Sequence, residues 1–353
     1  MTRLLILLMI VMFAQEALGM SFLRRIIRGF DRLDTLYIEP QHYNLTVMLQ
    51  TTYVIDQYSI VSQSGQEMRL SPDPKMKIGP YVGWRWFFGG YSFDLKNLGF
   101  SNDLQKRELD LSIYSSQIGV DLFYRRTGSD YKLRSVMLGD DVETRPLEGV
   151  PFDGVSAGIT GIDVYYIFNH GRFSYPAAFA QSTLQKVSCG SPIAGIGYTR
   201  NSLDFDHQKL QQTFDHYLGP GVAQLDSSLY FRHLQYTDYS LSGGYAWNQV
   251  LPNHWLVGVS GQLSLAYKKS TGDVDVDGDA AAGFSFEKVN VDAVGRLGVV
   301  YNNMKWYAGM SAIVRTNNYH KSRFRTNNTF GSINLYAGFN FGMKGKYKRK
   351  LKK

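Results

Sequence analysis

The chain has 353 residues with 14% aromatic residues, 35 glycines and 19% charged residues, against roughly 25% charged in ordinary soluble domains. This composition excludes a disordered chain, and one cysteine, Cys189, excludes a disulfide framework and reads as a small buried residue rather than a nucleophile. The formal charge of +8 is terminal: Lys344–Lys353 holds seven Lys/Arg and Arg24, Arg25 and Arg28 add three, while residues 35–343 net −1. That placement argues against nucleic acid and for basic tails that meet solvent or anionic lipid headgroups.

Residues 1–19 read as a secretory signal. Arg3 supplies the positive start, Leu4 to Phe13 an apolar run, and Ala17-Leu18-Gly19 the small residues of a cleavage site. That run is too short for a membrane helix, which needs roughly 20 residues. Residues 20–42 are then expected as a periplasmic N-terminal segment, 43–343 as the folded body and 344–353 as a basic periplasmic tail.

Beyond residue 40 the sequence alternates with a period of two. Leu45, Val47, Leu49, Tyr53 and Ile55 oppose Asn44, Thr46 and Gln50. Trp255, Val257, Val259, Leu263, Leu265 and Tyr267 oppose Ser260, Gln262, Ser264 and Lys268. The scheme repeats in Val289–Tyr301 and in Ile333–Phe341. A strand turns alternate side chains to opposite faces, so each segment has one apolar and one polar face. The runs last roughly ten to sixteen residues, where a soluble sandwich uses about five or six. Membrane barrels need at least 9–11 tilted residues per strand and have a polar lumen. Aromatic residues near strand ends (Trp84, Trp86, Phe88, Tyr165, Phe168, Tyr301 and Trp306) resemble interfacial girdles. The expected fold is all-β, an antiparallel transmembrane β-barrel of about twelve strands, within a range of ten to fourteen, in a Gram-negative outer membrane.

Tight turns are expected at Phe88-Gly89-Gly90, Asn169-His170-Gly171, Leu251-Pro252-Asn253 and Asn302-Asn303, on the periplasmic side with both termini. Longer polar loops are expected near 128–151, 204–230, 270–283 and 317–329, on the outer side. Ile193 to Tyr198 fits a strand and Asp206 to Tyr217 a short loop helix, but several threadings satisfy residues 173–235.

Four stretches carry a resemblance: Asp34-Thr35-Leu36-Tyr37-Ile38, Gly79-Pro80-Tyr81-Val82-Gly83-Trp84-Arg85-Trp86, Phe173-Ser174-Tyr175-Pro176-Ala177-Ala178-Phe179 and Gln185-Lys186-Val187-Ser188-Cys189-Gly190-Ser191. Through them roughly residues 30–343 resemble a domain-of-unknown-function family of secreted Bacteroidetes-type proteins. The resemblance implies an outer-membrane barrel and transfers no activity or catalytic residue.

Three patterns could carry chemistry. Asp273, Asp275, Asp277 and Asp279, with Gly278, open like a calcium loop, with hard oxygens for a hard cation. Position 12 is Phe284 instead of a bidentate Glu, so the plain alternative is a solvated acidic hairpin loop. At most a weak calcium site is expected there, completed by Glu287 or a lipopolysaccharide phosphate. His320-Lys321-Ser322 superficially resembles the His-x-Ser of lipid A deacylases, but Lys321, Arg323 and Arg325 around it read better as a surface patch for lipopolysaccharide phosphates. No catalytic residue is assigned and no other cofactor is expected. A lipid- or lipopolysaccharide-modifying hydrolase stays as one alternative, and a secreted soluble β-sandwich binding protein as another.

The lumen is the third pattern. If the apolar alternants face lipid, Arg85, Asp121, Arg125, Asp163, Asp292, Arg296 and Arg315 point inward. Charges of both signs either pair across the barrel and close it or line a pore for a small-molecule solute. The expected role is thus structural, or that of a small-solute channel or receptor, with outer-membrane lipid and lipopolysaccharide as surroundings. The oligomeric state is left open.

Overall fold

The computed structural model describes residues 33–84, 87–90, 93–94, 107–127, 130–139, 141–272, 289–320, 324–345 and 347–348. Its strands in chain order are β1 (Ile38–Pro40), β2 (Tyr43–Ser62), β3 (Glu67–Pro72), β4 (Lys75–Trp84), β5 (Phe87–Gly90), β6 (Phe93–Asp94), β7 (Arg107–Tyr114), β8 (Ile118–Arg126) and β9 (Tyr131–Met137). They continue with β10 (Val155–Ile167), β11 (Thr183–Gln185), β12 (Cys189–Phe205), β13 (His233–Leu251), β14 (Trp255–Gly272), β15 (Val289–Asn302), β16 (Trp306–His320) and β17 (Phe324–Met343). Among the described residues two α-helices, α1 (Tyr175–Phe179) and α2 (His207–Leu218), and two short 3-10 helices, Arg145–Leu147 and Ser227–Leu229, interrupt them. Among the described residues no helix is long and apolar enough to cross a membrane.

Twelve strands form one antiparallel path, β5-β4-β2-β17-β16-β15-β14-β13-β12-β10-β8-β7. The path is a curled barrel wall. Arg125 of β8 bonds the carbonyl oxygens of Ile55 in β2 and Gly331 in β17, on the far side of the path. The short connections Pro252–His254 and Asn303–Lys305 share one end with the start of β2 and the finish of β17, where Tyr43 pairs with Met343. We call this the turn end. At the opposite, loop end, β3 pairs with both β2 and β9, and main-chain bonds tie β9 to residues 149–152, which lead into β10. A ring of backbone therefore closes around the loop end.

The alternation decides which side chains meet which medium. Leu241, Leu263, Leu265, Val259, Val291 and Leu335 stand exposed on the outer face, with Leu263 64% and Leu265 61% accessible. Their strand neighbours Gln262, Lys268, Asn290 and Asp292 are buried inside. An apolar outer band over a polar interior inverts the ordering of a soluble core and matches strands that face lipid.

Four sequence expectations are corrected. Phe88-Gly89-Gly90 is no turn: it lies in β5, paired with Tyr81–Gly83. Residues 317–329 are mostly strand, since Asn317–His320 pair with Arg325–Asn328 and leave only 321–323 between. Side-chain amides knit this polar ladder, with Asn327 Nδ2 donating to Asn318 Oδ1 at 2.6 Å. The chain does turn at Asn169, whose carbonyl accepts from Arg172 N (3.0 Å) and Phe173 N (2.8 Å), but the connection from β10 to β12 is not tight: it extends over residues 168–188, with α1 and β11 inside it. Tyr165 joins no girdle, because it is buried in the lumen on the same phase as Asp163. Phe168 and Trp306 are exposed, as girdle residues should be.

Placing Leu263→Arg on the lipid face should destabilise the barrel by about 2–4 kcal/mol, the cost of a cation near a bilayer midplane. Urea unfolding in phosphatidylcholine vesicles reads this. A change no larger than that of Glu148→Arg, in an exposed loop, would contradict the face assignment.

Candidate functional site: a sealed, ion-paired lumen

The turn end is stoppered from within. Ser174 caps α1 by accepting from the Ala177 backbone N–H, and Pro176 presets the first turn. The helix then buries Tyr175, Ala177 and Ala178 against Met48, Leu256, Val300, Tyr307 and Tyr336, and against Tyr165, Ile193 and Ala246. Gly258 and Gly298 make the seat: a Cβ on Gly258 would collide with the Ala178 methyl, and one on Gly298 would lie 2.8 Å from the Ala178 carbonyl oxygen. Gln185 ties the stopper down. Its amide nitrogen donates to the carbonyls of Arg172 (2.7 Å), Val187 (3.0 Å) and Tyr37 (3.2 Å), and its oxygen accepts from Ser174 N (2.8 Å). Tyr37, Phe173–Phe179, Gln185–Ser191 and Tyr81 belong to the four stretches that carried the family resemblance. They converge on this stopper.

The loop end is closed by a larger apolar core. Tyr58, Ile60, Met68 and Leu70 meet Tyr131 and Leu133 of β9, Leu210 and Phe214 of α2, and Phe231 and Phe324. Leu210 and Phe214 are four residues apart, so α2 turns one face inward. A polar latch holds the segment after α2 to the β2–β3 turn. Asp226 accepts from Ser64 N (3.0 Å) and Ser228 N (2.8 Å), and Gln66 accepts from Asp226 N (2.9 Å). The Ser64 and Ser228 bonds hold the Asp226 carboxyl well below the usual carboxylate range.

Between the two closures lies a charged layer. Asp121 is 1% exposed and receives Arg296 Nη2, Arg315 Nη2 (3.0 Å) and the Ser112 hydroxyl (2.6 Å). Arg296 lies over Tyr165 and Tyr175, at 5.4 and 5.9 Å from their ring centres, and Arg315 over Phe123 at 5.2 Å. Arg125 pairs with Asp110 at 2.6 Å and sits over Phe330. Nearer the loop end, buried Lys268 stands between Asp238 (3.2 Å) and Asp292 (3.3 Å), with Asn201 donating to Asp238 at 3.1 Å.

The structure thus brings Asp121, Arg125, Asp292, Arg296 and Arg315 inside the barrel and buries them. Asp163 is half-buried, set opposite Asp121 in the ladder and seated in the space Gly197 leaves. Like charges directly opposite repel, and the two arginines offset both carboxylates. Arg85 lies outside the described residues, as do Trp86, the whole acidic loop with Asp273, Asp275, Asp277 and Asp279, and Lys321, Ser322 and Arg323. His320 ends β16 on the outer surface opposite Arg325. Among the described residues no group of three His, Cys, Asp or Glu is placed to hold a metal. Cys189 is half-buried and donates to the Arg172 carbonyl at 3.2 Å. Sequence reasoning missed Lys268, Asp238 and Asp110 as members of the layer. Lys268 was legible from its parity with Gln262; Asp238 sits beside the stretch whose threading was open.

The chain belongs to the family described as "Domain of unknown function (DUF4421)", whose model matches residues 32–341. No curated protein matches the sequence significantly. Among solved structures the chain is similar to the outer membrane protease OmpT of Escherichia coli, with 8% identity over 87% of this chain and 99% of that one and a TM-score of 0.36. It is also similar to the translocator domain of the autotransporter NalP of Neisseria meningitidis, with 11% identity, 94% and 98% coverage and a TM-score of 0.31. A third is the toluene transporter TodX of P. putida, with 9% identity, 85% and 91% coverage and a TM-score of 0.22. Likeness at this level transfers no activity.

Asp121→Asn should cost about 3–5 kcal/mol of stability, since it leaves two buried guanidinium groups without their counter-charge. Asp110→Asn should cost less, because Asp110 is 38% exposed and water can solvate its partner. Urea unfolding in vesicles compares the two. Equal and small losses would show that the layer is hydrated.

Proposed function

We propose that this protein is an outer-membrane β-barrel whose lumen is closed in its resting state, serving as a structural element or receptor of that membrane rather than an open pore. The observation that carries the reading is the layering of the interior: apolar closure, paired charges, apolar closure. A conducting pore needs a continuous water path past its charged ring. Here, among the described residues, Arg125, Lys268, Arg296 and Arg315 each meet a carboxylate, and both ends are filled with aromatic and aliphatic side chains.

The outward apolar band supports the membrane assignment, and the short turns against long loops support a periplasmic turn end with both termini and an outward-facing loop end. A hydrolase finds less support. His320 lies on the outer surface, and no Ser–His pair with an orienting carboxylate is assembled among the described residues. The sandwich reading would need two facing sheets around one core. A single curled path with an apolar exterior does not supply them.

A planar bilayer decides between a closed barrel and a pore. The purified protein should insert without steady current, and loosening the stopper with Gly258→Leu should leave the bilayer silent while the loop-end core stays in place. Discrete current steps of constant size from the unmodified protein would overturn the closed-lumen reading and favour a small-solute channel.

A further inference from the structure

The outer wall over β12, β13 and β14 is ordered by depth in three successive rungs. The ladder sets Ile196 beside Leu241 and Leu241 beside Leu265, and all three are more than 60% exposed. Two residues nearer the loop end it sets Tyr198 beside Tyr239 and Tyr239 beside Tyr267, and the first two rings lie 5.5 Å apart. Two residues further on it sets Arg200 beside Thr237 and Thr237 beside Lys269. Rungs two residues apart are separated by about 6.8 Å along an antiparallel strand. Aliphatic, phenolic and cationic rungs therefore follow one another over about 14 Å, the sequence of media met on leaving a bilayer through its headgroups.

The cationic rung is built to meet an anion. Arg200 and Lys269 are both exposed, and their strands stand about 10 Å apart, so both long side chains can converge above the Thr237 hydroxyl. Gln235, on the same outward phase two residues from Thr237, sets its amide beside the Arg200 guanidinium, where its oxygen can accept from Nε and Nη2. Among the described residues neither cation has a carboxylate partner. Asp204, on the same outward phase nearer the tip of β12, is bonded to His233 at 2.6 Å. Around Arg200 the outward residues are small or hydroxylated, Gly158, Thr160 and Ser202, and Arg126 of β8 adds a third exposed cation beyond them.

We propose that Arg200, Thr237 and Lys269 bind the phosphate of an anionic lipid in the leaflet at the loop end, lipopolysaccharide if that leaflet is the outer one. The guanidinium offers a planar donor fork, the ammonium a point charge and the hydroxyl a neutral donor. The lipid's chains lie along Ile196, Leu241 and Leu265, and the tyrosine rung marks the boundary. This site rests on the membrane reading above and adds a ligand class to it.

The test uses the full-length barrel. Flotation with pure phosphatidylcholine vesicles comes first and examines the membrane reading alone: failure to float would remove the basis of both. Native mass spectrometry from a zwitterionic detergent then follows binding of purified lipopolysaccharide to the wild type, to Arg200→Gln with Lys269→Gln, and to a charge-matched control, Lys186→Gln with Lys305→Gln, at the turn end. The site variant should weaken the apparent Kd about tenfold or more, the loss expected for a charge-assisted contact of about 1.4 kcal/mol, and the control less than about twofold. Equal losses in both variants would show attraction by net charge and overturn the site. So would an unchanged Kd in the site variant. Millimolar inorganic phosphate should not displace the lipid, and full displacement would assign the rung to free phosphate instead.

Discussion

One carboxylate organises the interior. Asp121 holds the guanidinium groups of Arg296 and Arg315 across the lumen, and removing three charges from water costs several kcal/mol per ion unless they are paired well. The pairing forces close packing around it. Arg296 needs the rings of Tyr165 and Tyr175 as its floor and Arg315 needs Phe123. Those rings in turn lie against bare backbone: Tyr165 covers Gly119 and Phe123 covers Gly161, where a Cβ would collide with each ring. Tyr175 comes from the stopper itself and donates to Ser260 at 3.0 Å. The ion network, the glycines of the wall and the closure of the turn end are therefore one construction.

The two closures differ in how they are made. The turn-end stopper is a five-residue helix on one connection, tied by Gln185 to the Tyr37 carbonyl just before β1 and seated on Gly258 and Gly298. The loop-end core gathers β3, β9, α2 and the segment after α2, so it draws on many separate parts of the chain. A small stopper on a single connection opens by local unfolding more readily than a core shared among many elements. If this barrel ever admits a solute, the turn end is where the energetic barrier is lower.

Parity made the wall legible. Period-two alternation gave the lipid face of β14, β15 and β17 and the inward phase of Asp121, Asp292 and Arg296, because a one-residue slip would invert every side chain. The same rule, applied strictly, places Tyr165 beside Asp163 in the lumen; its aromatic character alone suggested the girdle. Above the band the rule has no purchase. Thr316–His320 and Arg325–Thr329 are, apart from Tyr319, polar on both phases, since strands outside lipid need no apolar face, and they read as loop until their register is seen. The stopper was illegible for another reason: α1 is too short for a helical period, and its partners Gly258, Gly298 and Tyr336 lie 80 or more residues away.

A solid lumen shields its inward side chains from water on both sides of the membrane. Ser332 lies on the inward face of β17, 9% exposed. A Ser332→Cys variant in a Cys189→Ser background, reconstituted in vesicles, would be challenged with a charged, membrane-impermeant thiol reagent added outside, or trapped inside as well. A lumen closed at both ends predicts no labelling from either side until the protein is unfolded in detergent and heat. Rapid labelling of the folded barrel from either side would contradict it.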